Sequence, residues 1–163
     1  MPEGKSIPPF DPTLLPAFQQ YKQEHQAWLP DLDTWDYLNL RGADFDLTAA
    51  FSKLFWPDFV EVDGCVLLAR RYDPQNLAQW QAQHPDNPRA VEAMLNHVHI
   101  SDLYPGIPSG PDSALPLLEY LAQVLMICWK HALLELFPDK QFTFSYLTAP
   151  DVPSPEISFY QAE

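Results

Sequence analysis

Residues 56–72, "WPDFVEVDGCVLLARRY", set the fold class. Two β-prone runs flank Asp63-Gly64, a pair that tolerates positive φ in the type I′ turn of a hairpin. Val60 and Val62 alternate with Phe59 and Glu61, whereas Cys65 to Ala69 is continuously apolar. An alternating strand has one wet face, and a continuously apolar one is covered on both. The second strand is therefore expected inside a sheet and not at its edge.

Further along, "QFTFSYL" at 141–147 and "EISFYQ" at 156–161 read as another antiparallel pair, joined by a Pro-rich connection. Phe142, Phe144 and Tyr146 alternate with Thr143, Ser145 and Leu147, and Ile157 and Phe159 with Ser158 and Tyr160. Helical spacing fills the rest. Asp11-Pro12 opens a helix toward Trp28, with Pro16 moving its regular part a turn later. A short helix follows Asp46, with Leu47, Ala50, Phe51, Leu54 and Phe55 spaced for one face. Asp73-Pro74 opens a helix to about Gln83, and Asn87-Pro88 another through Arg89, Val91, Glu92 and Leu95. Ser113 can cap a long helix to about Phe137, with Pro116 in its first turn. Its polar residues Glu119, Gln123, Lys130, His131 and Glu135 form one narrow stripe, so it is expected at the centre of the core, buried on most sides. The predicted fold is α+β: an antiparallel sheet of about four strands packed against about four to five helices.

The chain has 163 residues, 47% of them hydrophobic and 19% charged. That suits one domain over residues 11–163, after a flexible Pro-rich tail at 1–10, and a domain this size buries roughly two-thirds of its unfolded surface. With 22 acidic and 9 basic residues the net charge is −13. Such a field repels nucleic acid and anionic membrane surfaces and steers basic proteins inward. The N-terminus has no signal-peptide apolar region, and the most apolar segment, residues 120–137, is interrupted by Gln123, Lys130, His131 and Glu135. A soluble cytoplasmic protein with no membrane partner is expected. Cys65 and Cys128 lie in apolar runs, which predicts buried free thiols.

Chemistry is sparse. His97 and His99 are the one close histidine pair, with Asp102 three residues on. On a strand, residues i and i+2 face the same side and can chelate a metal with a carboxylate. On a helix they sit roughly 200° apart and cannot. The helical pattern from Asn87 through Val91, Met94, Leu95 and Val98 leaves residues 97–100 open between these two: a helix persisting to Ile100 makes the rings diverge, and only an extended 97–104 lets them share a metal with a remote carboxylate. Cys128, His131 and Glu135 share a helix face, but a one-helix triad lacks the geometry and oxyanion donors of a nucleophile site. A calcium loop at 31–36 fails, because Trp35 takes an oxygen-ligand position. No phosphate-binding Gly motif and no G-x-S-x-G occurs.

What remains is "DLDTWDYLNLRGADFD", residues 31–46, where carboxylates alternate with aromatics. Aromatics anchor interfaces and charges orient partners. Asp31, Asp33, Trp35, Asp36 and Tyr37 are the predicted partner-binding residues of a non-catalytic protein with no cofactor, binding another, basic protein. Size and acidity are similar to those of bacterial immunity proteins that neutralise toxins, a likeness of composition carried by no motif. The alternative is a small enzyme or ligand-binding domain whose pocket between helix and sheet draws on His97, His99, His131 and Tyr146.

Overall fold

A computed structural model of the chain describes residues 10–41, 44–104, 111–148 and 154–162, and only the backbone of 111–113. Of the expected tail only Phe10 falls inside that range, its ring 5.4 Å from that of Tyr120. After a 3-10 turn at Pro12–Leu14, α1 spans Pro16–His25, α2 Thr34–Leu40 and α3 Phe45–Phe55. Next come β1 (Phe59–Val62), β2 (Cys65–Leu68), α4 (Pro74–Gln83) and α5 (Pro88–Leu95). β3 (Val98–His99) leads into a 3-10 turn at Ile100–Leu103, followed by α6 (Pro111–Leu136), β4 (Phe142–Leu147) and β5 (Glu156–Gln161). The fold is mixed α and β, as the sequence predicts.

Short-range chemistry accounts for the element starts. Asp11, Asp44, Asp73 and Asn87 accept the backbone N–H of Thr13, Leu47, Asn76 and Ala90 at 2.7–3.0 Å, each satisfying a donor that the first turn leaves without a partner. Asp63 and Gly64, at φ 50° and 78°, turn β1 into β2. The first helix breaks at Pro16, and α6 begins at Pro111, ahead of Ser113, with Pro116 inside it.

The expected single sheet is instead two antiparallel sheets, β1-β2 and β3-β5-β4. The cause lies on α5. Val66 N–H donates to Glu92 Oε1 at 2.7 Å and Leu68 N–H to Asn96 Oδ1 at 3.0 Å, while Asn96 Nδ2 donates to Val66 O at 2.9 Å. The same two side chains reach β5: Asn96 Nδ2 donates to Phe159 O at 3.2 Å, and Gln161 N–H to Glu92 Oε2 at 2.7 Å. Side chains of one helix thus stand where a strand between β2 and β5 would. β2 is a sheet edge, contrary to expectation, yet all four of its residues are buried.

Its continuous apolarity has a simple origin. Cys65 and Leu67 point into a small core with Leu77, Val91 and Leu95, while Val66 and Leu68 point into the main one. The main core sets Val98, Ile100, Ile157 and Phe159 against Leu118, Ala122, Leu125, Trp129 and Leu133 of α6. Phe159 sits among the rings of Phe59, Phe142, Phe144 and Trp129, with centroids 5.5–6.5 Å away. α6 is buried along that one stripe and not on most sides. It is also the one described helix long and apolar enough to cross a membrane.

Candidate functional site

The acidic, aromatic stretch at 31–46 forms more helix than a loop reading implies, because its carboxylates cap it. Asp33 Oδ1 accepts from Asp36 N–H at 2.9 Å, and Asp36 Oδ2 from Asp33 N–H at 3.1 Å. Two acids expected to face a partner therefore also start α2. Asp31 is exposed beside buried Leu32. Trp35 projects outward at 73% exposure. Tyr37 turns inward, its ring 5.3 Å from both Phe18 and Tyr21 of α1.

Neither α2 nor α3 contains a buried residue. Among the described residues, nine of the fifteen exposed large hydrophobics fall between Trp28 and Trp56. Trp28 at 85% and Phe45 at 84% are the most exposed of them. α3 packs at its end: Leu54 and Phe55 lie on the main core, and Trp129 Nε1 donates to Leu54 O at 2.7 Å. Leu47, Ala50 and Phe51, on the face expected to pack inward, remain in solvent. Sequence reasoning missed Phe45, Leu47 and Phe51 as surface residues, since helical spacing marks an apolar face without saying what covers it.

For the histidines the structure takes the extended alternative. α5 stops at Leu95, Asn96 caps it, and Val98–His99 pairs antiparallel with β5, Val98 opposite Ile157 and His99 opposite Glu156. His97 and His99 thus point to one side, with Glu156. His97 Nε2 lies 2.9 Å from Glu156 Oε2 and His99 Nδ1 3.2 Å from Glu156 Oε1. This is the one group of three His, Cys, Asp or Glu side chains among the described residues that could share an ion. Asp102 is not part of it. It lies in the 3-10 turn and lines a cavity of about 30 Å³ together with Lys53, Arg70 and Arg71.

The structure does not gather the pocket residues. Tyr146 lies on β4 near Glu119, to which Thr148 Oγ1 donates at 3.0 Å; burial and then the Glu119 charge push its phenol up. His131 is exposed twelve residues beyond Glu119 on α6, about 18 Å along the axis. The small cavity is lined by neither of them nor by His97 or His99, and it has room for water and not for a metabolite. Burial pushes the thiols of Cys65 and Cys128 up, the reverse of an activated nucleophile. His131 and Glu135 stand exposed on α6, three and seven residues after Cys128.

Comparison of the chain with protein-family models, with curated proteins and with solved structures finds no match.

Proposed function

We propose that this is a non-catalytic binding protein that takes a basic protein partner on the surface carried by α2 and α3. One observation supports the reading above the others: the concentration of exposed large hydrophobics between Trp28 and Trp56. Folded chains seldom leave so much apolar surface uncovered unless a partner uses it. The partner's charge follows from the acids interleaved there, Asp31, Asp33, Asp36, Asp44 and Asp46, in a chain of net charge −13. Carboxylates at the rim raise the rate of encounter with a basic surface, and the aromatic anchors slow dissociation. Trp35 and Phe45 are the anchors; Tyr37 supports Trp35 by packing α2 onto α1.

The test is a parallel capture from extract of the source cells with three immobilised proteins: the wild type, Trp35→Ala/Phe45→Ala, and Asp31→Asn/Asp33→Asn/Asp36→Asn. Asparagine is chosen because it caps a helix about as well as aspartate, so α2 survives while its charge is removed. Wild type is expected to hold one basic protein at low salt and to hold it less at high salt. The aromatic double variant is expected to lose about 2 kcal/mol or more, roughly 30-fold in affinity. The asparagine variant slows association and leaves dissociation nearly unchanged. Equal retention by all three would remove this surface from the account. A wild-type dimer in sedimentation, abolished by Trp35→Ala/Phe45→Ala, would assign the surface to a second copy of the chain.

A further inference from the structure

We propose that His97, His99 and Glu156 form a binding site for a divalent transition-metal ion of the zinc class, with three protein ligands and a solvent-filled fourth position. The donors come from adjacent strands. His97 and His99 are two apart on an extended segment, and Glu156 lies directly opposite His99 on β5. That arrangement converges three side chains on one side of the sheet, as a chelate requires.

Spacing agrees. An ion bound about 2.0–2.2 Å from each donor in a tetrahedral site holds its donors about 3.4 Å apart. Here the carboxylate oxygens lie 2.9 and 3.2 Å from the two imidazole nitrogens, and all three ligand atoms lie within 4.8 Å of one another. Binding draws the most separated donors in from at most 4.8 Å to that spacing. The backbone beneath is rigid, because core residues alternate with the ligands. Val98, Ile100 and Ile157 are buried, Ile100 N–H donates to Pro155 O at 2.9 Å, and Ser101 N–H to Ser154 Oγ at 2.9 Å.

Donor chemistry selects the ion. Two imidazoles and a carboxylate suit Zn²⁺, Co²⁺ or Ni²⁺; Ca²⁺ and Mg²⁺ require oxygen ligands. The side chains of His97, His99 and Glu156 are 32%, 42% and 19% exposed, which leaves the ion an open side toward water. The carbonyl end of α5, just before His97, adds negative potential. The site is separate from the α2–α3 surface and stands or falls without it.

Calorimetric titration of the chelator-stripped full chain with ZnCl₂ tests the assignment, with CoCl₂ absorption as a second probe. One ion per chain is expected, and Co²⁺ should develop the visible bands of low-symmetry four-coordination. His97→Ala, His99→Ala and Glu156→Gln should each weaken binding by more than the roughly 10–100-fold typical of losing an outer-shell contact. His131→Ala, which removes an exposed histidine elsewhere, should bind as wild type does. In the unmutated protein, zinc should shift the ring ¹⁵N resonances of His97 and His99 and leave those of His25, His84 and His131 in place. Absence of saturable binding, equal affinity in His99→Ala, or ring shifts shared by all five histidines would overturn the proposal and leave the trio as a hydrogen-bonded His–Glu–His cluster.

Discussion

α3 and α5 both begin at an Asx cap and both carry apolar residues at helical spacing, yet they end in opposite environments. α5 buries Val91 and Leu95 and, beside them, the carboxylate of Glu92; the amide of Asn96, its C-cap, is buried too. α3 leaves Phe45 and Leu47 in water. Hydrophobicity alone would order these residues the other way. The difference lies in what each helix faces. α5 lies over the edges of β2 and β5, whose N–H and C=O groups need partners in a place water does not reach, and an orphaned buried donor costs about 1–3 kcal/mol. Glu92 and Asn96 satisfy five such groups. Among the described residues α3 packs on α6 and the core through Leu54 and Phe55, and its first two turns stay exposed.

Three substitutions sharpen this contrast, all read by urea denaturation. Phe159→Ala removes the ring around which the main core packs and should cost about 3–5 kcal/mol. Asn96→Ala leaves Leu68 N–H without its acceptor and two carbonyls without a donor, and should cost about 2–3 kcal/mol although no apolar contact is lost. A cost under about 0.5 kcal/mol would mean that β2 and β5 close on each other, or on water, without the bridge. Trp35→Ala should change stability by no more than about 0.5 kcal/mol, as expected for a residue with little to pack against. A loss above about 1 kcal/mol would break the comparison, because Trp35 would then be covered in the free protein.

The point at which the chain became unreadable is a single residue. Val98 lies seven positions after Val91 and three after Leu95, so it continues the helical face. It also alternates with His97 and His99, as a strand requires. Both periods are satisfied, and no local feature chooses between them. β5 chooses, from 58 residues further on, by offering Ile157 and Glu156 as partners. Glu156 was absent from the predicted trio for the same reason: Asp102 is near in sequence, and Glu156 is near only in space. Glu92 and Asn96 posed a like problem. An i, i+4 polar pair on an amphipathic helix looks the same whether it meets solvent or two strand edges.

Sequence by itself determined the mixed α and β composition, the β1–β2 hairpin through Asp63-Gly64, the strand alternation of β4 and β5, and the caps of the 3-10 turn at Asp11 and of α4 and α5 at Asp73 and Asn87. The turn and the caps depend on interactions closed within about four residues, so the local chain carries their whole signal, and the alternation is legible from side-chain type alone. Tertiary structure alone decided that β2 and β5 are bridged by side chains and not by a strand, that His97 and His99 leave the helix to meet Glu156, and that α2 and α3 keep their apolar residues outside. Those outcomes depend on which groups still lack a partner once distant segments have packed, and that information is spread over the whole fold.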